Sequence, residues 1–337
     1  PPAYLVKTYI FLYIKMKLPQ NTPLEEKILK TLKSSTDLVS GENLSRLFGV
    51  SRVAIWKAIK KLQEKGYPIR VYKRGYALEN KDIFLKEELE NLLKKSIFFE
   101  EVFYFLSTTS TMDIAKELAE KEKKAIVIAE RQSKGRGRLG RGWESELGGL
   151  WFTLILRYPI PLKEVFLLTY LSAVSVALAI NKTYNLEAKV KWPNDVLLLE
   201  KKVAGILLEI KAEVDLLLYA LIGIGVNVNN EVSSRDFLYP AISISEVLNH
   251  KVSRLPLLEN FLQYFEELLQ NKDQILPIWR SLSDTLGKKV KVLSSERVFI
   301  GKAIDVDHEG ALLLQSDEGK IERIFSGDCF HLRNLAL

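Results

Sequence analysis

The scarcity of cysteine and histidine sets the first limits on this protein. Among its 337 residues there is one cysteine, Cys329, and the three histidines lie far apart in the chain. One cysteine excludes an internal disulfide framework and is typical of a reducing cytosol, so we expect a cytoplasmic location. The same scarcity leaves almost no ligands for a zinc site. Cys329 itself is expected to be a small buried apolar residue, not a nucleophile.

A long hydrophobic run is missing near the N-terminus. The apolar run from Thr8 to Ile14 is far shorter than the roughly 20 residues that span a bilayer, and no signal-peptide cleavage site follows it. We therefore expect no membrane partner. Residues 1–21 are interpreted as an N-terminal extension. Met16 is our hypothesis for the natural start, because Met-Lys-Leu-Pro resembles an ordinary bacterial N-terminus.

The composition is that of a globular protein with several domains. The chain is 47% apolar and 27% charged, and its 337 residues suggest two or three domains. The net charge of +7 favours nucleotides or nucleic acids as partners. The composition leaves Mg²⁺ held by carboxylates and phosphate as an open alternative to zinc.

The central feature of the sequence is a loop rich in glycine and arginine. Residues 134–142 hold four glycines, four basic residues and one leucine, and Trp143 follows; we name residues 134–143 the glycine–arginine loop. Glycines let the backbone bend closely around a ligand, and arginines grip phosphate or carboxylate at two points. The loop is therefore predicted to be a mobile anion clamp, with Trp143 as a lid or stacking face.

Two familiar motif assignments fail for this loop. Residues 135–140 spell the dinucleotide-binding pattern G-x-G-x-x-G, but that motif requires its third glycine to open a helix. Here Gly148-Gly149 and a strand-like run from Leu150 to Leu156 follow instead. A phosphate-binding P-loop is excluded because the chain has no glycine–lysine–Ser/Thr triplet. A flexible basic surface loop that touches nucleic acid remains the alternative.

Residues 22–80 predict a winged helix-turn-helix domain. Ser40 and Ser51 are capping residues for two short helices, and Gly49 between them makes the turn. The segment from Tyr67 to Leu78 then alternates apolar and basic residues, which indicates a hairpin wing.

Charge concentrates in this first domain. From Leu24 to Glu79 there are twelve Lys or Arg and six Asp or Glu, so this part carries +6 of the net charge. Such a concentration favours DNA binding through phosphate neutralisation. The alternative is a winged helix used only for protein contacts, with solvated lysines. The residues expected to contact operator DNA are Ser51, Arg52, Trp56, Lys57, Lys60, Lys73 and Arg74.

Residues 81–284 predict a second domain of mixed helices and strands. Hydroxyl residues precede a helix at Ser110-Thr111, where they bind small anions or merely cap the helix. Pro193 interrupts a strand, so the kink brings Lys191, Asn194 and Asp195 together. Residues 201–205 are expected to form a turn into a strand. The glycines between Ile222 and Asn229 allow a ligand close to the backbone.

Each of these features has a structural explanation when it is taken alone. Lys202 could be a solvated lysine, Asp195 a turn former and Asn227 a strand-end cap. Their order in one chain, however, resembles biotin protein ligases and, with the first domain, the bifunctional ligase and biotin-operon repressor of bacteria. The motifs that carry this resemblance are Gly-Arg-Gly-Arg-Leu-Gly-Arg-Gly-Trp at 135–143, Lys-Trp-Pro-Asn-Asp at 191–195 and Lys-Val-Ala-Gly at 202–205.

The resemblance extends over about residues 22–335 and implies an α+β multidomain fold. Its parts are an N-terminal winged helix-turn-helix, a central mixed-sheet domain of the biotin/lipoate ligase type (class II synthetase-like), and a C-terminal SH3-like β-barrel. Short alternating strands between residues 285 and 337 independently suggest that barrel.

The resemblance also implies an activity. Enzymes of this kind are AMP-forming biotin–[biotin carboxyl carrier protein] ligases that make biotinyl-5′-AMP from biotin and ATP. They then transfer biotin to a lysine of a carrier domain. The implied cofactors are ATP, biotin and Mg²⁺. The implied partners are a biotin carboxyl carrier domain, operator DNA and a second copy of the chain, since the ligand-bound homodimer would repress biotin genes.

The resemblance assigns roles to matching positions. Lys202 would bridge the biotin carboxyl group and the α-phosphate, Arg138 would hold the phosphoryl group, and Asp195 would place Mg²⁺ or accept a proton from the incoming amine. The implied biotin-binding residues are Ser110, Thr111, Met112, Gln132, Arg136, Gly137, Arg138, Lys202 and Gly205. The implied nucleotide-binding residues are Arg138, Arg141, Trp143, Lys191, Asn194, Asn227 and Arg333.

Two positions stand out within this pattern, and two other functions compete with it. Met112 stands where the family commonly has asparagine, and a methionine cannot replace the hydrogen bonds that an asparagine makes. Arg333 is equally explained as a surface arginine. A ligand-sensing repressor without ligase activity is disfavoured because Lys202 and Arg138 are present. A lipoate ligase is disfavoured by the arginine-rich loop and the winged helix.

Overall fold

The computed structural model describes residues 22–213, 216–232, 240–294 and 297–332. The N-terminal extension with Met16, and Arg333, lie outside the described residues. The chain divides into two compact units, Pro1–Leu89 and Glu90–Leu337. The domain boundaries expected after residues 21, 80 and 284 stay predictions.

The first unit is a winged helix-turn-helix, as predicted. Its elements are the helices α1 (Leu24–Ser34), α2 (Gly41–Phe48) and α3 (Arg52–Glu64) and the antiparallel wing strands β1 (Ile69–Tyr72) and β2 (Gly75–Leu78). The hydroxyls of Ser40 and Ser51 accept hydrogen bonds from backbone N–H groups three residues further on. Gly49 has φ +67°, which favours glycine. Apolar side chains from the helices and the wing share one buried core.

The next helix is α4 (Lys86–Leu93), and Ile83 ahead of it packs into the core of the first unit. The backbone N–H of Leu85 donates to Glu88 at 2.9 Å, which marks the start of the helix.

The second unit is built on a mixed sheet of seven described strands. The strands are β3 (Glu101–Phe105), β4 (Ala125–Ala129), β5 (Leu150–Leu156), β6 (Lys189–Lys191), β7 (Asp195–Leu198), β8 (Lys201–Glu213) and β9 (Leu216–Val226). Their order is β3-β4-β5-β9-β8-β7-β6, and only β3 and β4 pair in parallel. β4 and β5 are buried at every position, as expected for strands covered on both faces.

Helices cover this sheet. They are α5 (Thr111–Ala119), α6 (Leu167–Tyr184), α7 (Ile244–Leu248), α8 (Leu255–Gln270) and α9 (Ile275–Leu282). α5 packs on β4, β5 and β9, whereas α6 lies against β6 to β9 and carries α8. In the described chain, one helical span (Leu162–Tyr184) would cross a membrane by length and apolar composition alone. Its window is 67% buried within the protein, as in a core helix.

A second, five-stranded antiparallel sheet forms the small C-terminal β-structure that the sequence predicts. Its strands are β10 (Lys289–Leu293), β11 (Val298–Val306), β12 (Leu312–Gln315), β13 (Ile321–Ile324) and β14 (Asp328–His331). The order is β13-β12-β11-β10-β14, so the last strand returns to pair with the first. This return places β14 beside the mixed sheet's functional end, although β14 was not predicted.

One predicted turn is wrong. Residues 201–205 were expected to form a turn, but β8 already begins at Lys201 and the turn is made by Leu199 and Glu200. Their φ angles of 50° and 59° are those that a two-residue hairpin turn requires, where Gly, Asn or Asp is usual. Leu-Glu carries no such signal. Consequently Lys202 and Gly205 lie on a strand.

Candidate active site

One cavity in the second unit gathers the three sequence motifs. It has a volume of about 350 Å³ and lies between the glycine–arginine loop, the start of α5, strands β6 to β9 and the start of β14. The described site residues inferred from the resemblance all line it: Ser110, Thr111, Met112, Gln132, Arg136, Gly137, Arg138, Arg141, Trp143, Lys191, Asn194, Asp195, Lys202, Gly205 and Asn227. Their individual roles stay predictions.

Two lysines share one carboxylate in this cavity. Lys202 Nζ lies 2.6 Å from Asp195 Oδ1, and Lys191 Nζ lies 3.9 Å from Asp195 Oδ2. Lys191 ends β6 and Asp195 begins β7, so the kink at the cis Trp192–Pro193 bond does bring them together. Lys191 and Asp195 are each 9% exposed. A buried and a partly exposed cation around one anion leave net positive charge for an anionic substrate.

Trp143 lies on a floor made of glycine backbone. Gly205 on β8 and Gly225 on β9 are register partners, and the indole covers both. A Cβ on Gly225 would lie 2.5 Å from Trp143 Nε1, and one on Gly205 would lie 3.1 Å from Trp143 Cζ3. Lys202 Nζ sits 5.1 Å from the centre of the Trp143 ring. The glycines therefore hold the indole beside Lys202.

The indole N–H of Trp143 is a buried donor. No acceptor among the described residues is within hydrogen-bonding distance of Nε1. A buried donor left without an acceptor is costly, and such a group in a ligand cavity is suited to bind a ligand acceptor. Edge-to-face packing on Trp151, with ring centres 6.4 Å apart, fixes its orientation.

The first arginine of the loop is held by two carboxylates. Arg136 donates to Asp113 and, from Nε at 3.2 Å, to Glu209. Burial alone would lower the pKa of Arg136, but these hydrogen bonds raise it above its ordinary value. Its side chain thus ties the loop to α5 and β8. The expectation that the backbone here binds biotin stays a prediction.

The other two arginines reach the start of the C-terminal β-structure. Arg138 Nη1 lies 3.0 Å from Asn194 Oδ1 and 3.4 Å from the carbonyl oxygen of Gly327. Arg141 grips both carboxylate oxygens of Asp328. This hydrogen-bonded partner lowers the pKa of Asp328. The loop is therefore fastened to the segment that begins β14.

Hydroxyl and amide groups form a network at the start of α5. Gln132 Oε1 accepts hydrogen bonds from the backbone N–H of Thr111 at 2.7 Å and from its hydroxyl at 3.0 Å. Gln132 Nε2 donates to Ser145 Oγ at 2.8 Å. Ser110 caps α5, as its structural explanation requires. The network holds these side chains in fixed rotamers on the cavity wall.

Met112 points into the core as well as the cavity. It is 3% exposed, and a Cβ on Gly223 would lie 2.8 Å from its sulfur. It packs among the apolar residues between α5 and the sheet. A thioether here offers no strong hydrogen bond, so a ligand meets an apolar wall at this point.

Two asparagines of the predicted nucleotide end make internal hydrogen bonds. Asn227 Oδ1 accepts from Asn230 Nδ2 at 3.0 Å, and Asn194 Nδ2 donates to the carbonyl oxygen of Ile206 at 2.7 Å. Asn227 is 5% exposed. These bonds position both amides, and their contact with a nucleotide stays a prediction.

Several cavity residues were missed by the sequence analysis. Asp328 and Cys329 come from β14, which pairs with residues far away in sequence, so no local pattern points to them. Burial raises the pKa of Cys329 to about 12, which agrees with an unreactive apolar role. Apolar wall residues such as Phe152 and Ile206 carry only an ordinary strand signal. The other missed residues are Glu144, Glu146, Ile224, Asn230, Glu231, Val232 and Ala241. The cavity is also lined by Gly142, Trp192, Pro193, Gly223 and Gly225, which lie in segments that the sequence had singled out.

The residues present do not form a resident magnesium site. In the part of the chain that the structure describes, no three His, Cys, Asp or Glu side chains converge on one point. Asp195 is already in contact with the ammonium group of Lys202. Mg²⁺ is usually bound by one or two carboxylates together with substrate phosphates. Magnesium binding at Asp195 stays a prediction.

The predicted DNA-contacting residues are exposed on the first unit. Trp56 is 52% exposed on α3, and Lys57 and Lys60 on the same helix are exposed. Lys73 and Arg74 are exposed at the wing turn between β1 and β2. Ser51 caps α3. The geometry is that of a helix available to the major groove, with a basic wing beside it.

Comparisons with known families match all three parts of the chain. The biotin/lipoate A/B protein ligase family matches residues 102–227. An HTH domain matches residues 25–77, and the biotin protein ligase C-terminal domain matches residues 285–332. The predicted fold class is thereby confirmed.

Similar proteins extend over most of the chain. The bifunctional ligase/repressor BirA of Bacillus subtilis is 35% identical over 308 residues, covering 88% of this chain and 94% of that protein. The protein of that name in Escherichia coli is 25% identical over 300 residues, covering 86% and 92%.

A solved structure agrees with the second unit's fold. Biotin protein ligase from Aquifex aeolicus in complex with biotin and ATP is 29% identical, with a TM-score of 0.59. The match covers 69% of this chain and 98% of that chain. The sequence motifs meet around one cavity, and the chain is 35% identical to a relative along 94% of that protein's length. The chain therefore belongs to the family of bifunctional biotin protein ligases and repressors.

Proposed function

We propose that this protein forms biotinyl-5′-AMP from biotin and ATP and transfers the biotin to a lysine of a biotin carboxyl carrier domain. We propose further that the ligand-bound protein dimerises and represses biotin genes through its winged helix. The observation that carries the first proposal is the assembly of Arg138, Trp143, Lys191, Asp195 and Lys202 around one cavity.

The first chemical step joins two anions. The carboxylate of biotin attacks the α-phosphorus of ATP, a C–O–P anhydride bond forms, and the bond to the β-phosphate breaks with release of pyrophosphate. Cations must reduce the repulsion between carboxylate and phosphate and stabilise the charge at phosphorus in the transition state. Lys202 and Lys191, both within reach of Asp195, supply such charge from a largely buried position.

The second step forms an amide. A carrier lysine, after losing a proton, attacks the carbonyl carbon of the anhydride, and AMP leaves. Asp195 is the carboxylate nearest the proposed reaction centre, so we assign it the positioning or deprotonation of the incoming amine. Magnesium, when bound with ATP, neutralises phosphate charge.

The loop protects the intermediate. A mixed anhydride hydrolyses if water reaches it, so the site must exclude water between the two steps. Arg136, Arg138 and Arg141 fasten the glycine–arginine loop at both sides of the cavity, while Trp143 covers the glycine floor. We infer that this closed arrangement retains biotinyl-5′-AMP until a carrier domain docks.

Repression is the second proposed activity. The exposed helix α3 and the basic wing favour operator DNA, and the expected cytoplasmic location agrees with both activities. A ligand promotes DNA binding by dimerisation only if it binds the dimer-competent state more tightly. Sedimentation of the protein with and without biotin plus ATP tests the dimer directly, and an unchanged monomer would contradict it.

One incubation tests the ligase proposal. The purified protein is mixed with Mg-ATP, labelled biotin and a carrier domain, and the carrier is analysed by mass spectrometry for one added biotinyl group on lysine. Labelled carrier supports the proposal. Adenylate formation with lipoate and not biotin would support the lipoate alternative, and ligand binding without any adenylate would support a repressor without ligase activity.

A further inference from the structure

A buried ion pair lies just outside the active-site cavity. Among the described residues, Arg254 is 0% exposed and Glu130 is 1% exposed, and neither lines the cavity. Arg254 Nη2 donates to both carboxylate oxygens of Glu130, at 3.0 and 2.9 Å. Arg254 Nη1 donates to the carbonyl oxygen of Gly149 at 2.7 Å. The hydroxyl of Tyr104 donates to Glu130 at 2.8 Å.

This pair joins the two ends of the segment that contains the glycine–arginine loop. Glu130 directly follows β4, and Gly149 directly precedes β5. Every residue of the loop lies between them in sequence. One guanidinium group therefore holds the outgoing and the returning chain at a fixed separation.

The segment that presents Arg254 is itself fixed to the residues that follow β9 and to α6. The side chain of Asn229 bonds the backbone N–H and carbonyl of Val252 at 2.9 and 2.8 Å. The backbone N–H of Asn229 donates to the carbonyl oxygen of Gly148 at 2.9 Å. The hydroxyl of Tyr184 donates to the carbonyl of Ser253 at 2.7 Å. The end of β9, the start of α8 and the returning end of the loop form one connected unit.

Such a buried charge pair is poorly explained by stability alone. Removing a guanidinium and a carboxylate from water is costly, and well-packed neutral groups often stabilise a fold as well. What neutral groups do not reproduce is a rigid planar guanidinium that bonds the Glu130 carboxylate from Nη2 and the backbone carbonyl of Gly149 from Nη1. That geometry is useful where a mobile loop has to start and end at defined points.

We propose that Arg254 is a positioning residue for the glycine–arginine loop, acting through Glu130 and Gly149. It sets where the loop begins and ends, so that Arg138 and Trp143 meet Lys202 over the glycine floor. When Glu130 and Gly149 are no longer held by Arg254, the loop opens more often and the bound intermediate dissociates faster. The catalytic part of this inference rests on the proposed ligase function, whereas the control of loop opening does not.

Two variants separate positioning from folding. Arg254→Met combined with Glu130→Gln makes the pair neutral and keeps an acceptor for Tyr104. Arg254→Lys keeps the positive charge but loses the planar group that joins Glu130, bonded by Nη2, to Gly149, bonded by Nη1. The matched control is Arg280→Met, because Arg280 on α9 also bonds a carboxylate, Asp305, and a backbone carbonyl, but contacts no part of the loop in the described structure.

The primary measurement is limited trypsin digestion followed by mass spectrometry. The loop contains four tryptic sites, Lys134, Arg136, Arg138 and Arg141. We expect both Arg254 variants to be cleaved there on the order of tenfold faster than the wild type, with a melting temperature close to that of the wild type for the neutral pair. Arg280→Met should be cleaved at the wild-type rate. Wild-type cleavage rates in both Arg254 variants would overturn the proposal.

The second measurement is release of the intermediate. After incubation with biotin and Mg-ATP, free labelled biotinyl-5′-AMP is separated from protein over time. We expect release on the order of tenfold faster in both Arg254 variants, with a smaller change in the KM for biotin. Release at the wild-type rate from a loop that is cleaved faster would overturn the catalytic part. If the wild type itself forms no adenylate, the ligase proposal fails, while the digestion still tests the positioning of the loop.

Discussion

The short contact between Lys202 and Asp195 is the residue-scale centre of the proposed chemistry. An ammonium group 2.6 Å from a carboxylate is held in one place without being fully neutralised, since Lys191 lies on the other side of the same carboxylate. A preorganised charge of this kind stabilises a transition state without having to reorganise during the reaction. Loss of the Lys202 ammonium group should therefore lower the rate of adenylate formation more than it weakens substrate binding.

We predict that Lys202→Met lowers kcat for biotinyl-5′-AMP formation by about 10²–10³-fold. Pyrophosphate release measures this rate. The matched control is Lys201→Met, because Lys201 is the neighbouring lysine on the same strand and does not line the cavity. Unchanged adenylation in Lys202→Met would remove the role assigned to this residue.

A half-buried histidine, His331, makes stability depend on pH. Burial, and then the positive charge of Lys191, lower the pKa of His331 to about 4, against the opposing effect of Asp284. Lys288 and Glu200 also face this group. Since the unfolded chain binds the proton near pH 6.5 and the folded chain near 4, stability is complete above pH 6.5 and is lost as the pH falls toward 4.

We predict that His331 contributes a loss of about 2 kcal/mol in the free energy of unfolding between pH 7 and pH 5. Urea titrations at the two pH values measure this loss. His331→Gln keeps a polar partner for Thr285, which lies 3.2 Å from the imidazole, and should lose correspondingly less stability over the same interval. An equal pH dependence in wild type and variant would contradict the assignment.

At the scale of elements, the pairing of β8 with β9 creates the surface on which Trp143 lies. Gly205 and Gly225 face each other in register, so the indole meets backbone from both strands. We predict that Gly225→Ala displaces the indole, because the added Cβ would lie 2.5 Å from Nε1. Overpacking of this kind costs about 1–3 kcal/mol.

The expected result is a rise of roughly 10- to 100-fold in the KM for ATP, the equivalent of that cost in affinity. Pyrophosphate release at varied ATP concentration measures it. Gly41→Ala in α2 controls for the loss of a glycine, because its Cβ would meet only Tyr76 at an ordinary distance of 3.5 Å. A KM unchanged by Gly225→Ala would show that the position of the indole does not matter to the nucleotide.

The recognition helix α3 gives a prediction about DNA. Lys57 and Lys60 are exposed and contact phosphates if α3 enters the major groove. Each alanine substitution should weaken operator binding and lower the slope of log K against log salt by about 1. Lys30→Ala on α1 is the control, since Lys30 is paired with Glu87 at 2.8 Å. Unchanged slopes would favour a winged helix used for protein contacts.

The elements predicted from the sequence are those with local signals. Ser40 and Ser51 are capping residues that bond within three residues, so both helix starts were predicted correctly. The turn at Leu199-Glu200 was missed because neither residue is a usual turn former. Helix α8 was not predicted, although its apolar residues recur with the 3.6-residue period of a helix.

The site was only partly predictable from the sequence, because local motifs are readable there and contacts between distant residues are not. Motif residues such as Lys202 and Arg138 lie in short recognisable segments. The contact of Arg141 with Asp328 spans 187 residues, and that of Arg254 with Glu130 spans 124. Contacts of this range depend on how strands and helices pack, which no local pattern specifies.

At the scale of the whole molecule, the protein combines a helix-turn-helix unit with a ligase-family unit, which we propose closes over its intermediate. The second unit brings the glycine–arginine loop, strand β8 with Lys202, and the start of β14 to one cavity. The loop arginines contact α5, β8 and β14, so closure of the loop links the mixed sheet to the C-terminal β-structure. We expect a bound ligand to affect both the mixed sheet and the C-terminal β-structure through the glycine–arginine loop.

The most direct test is a crystal structure of the protein with biotinyl-5′-AMP. We predict that Lys202 Nζ and the Arg138 guanidinium both lie within hydrogen-bonding distance of the anhydride or its phosphate, with the Trp143 indole against the ligand. An intermediate bound elsewhere, touching neither Lys202 nor Arg138, would contradict it.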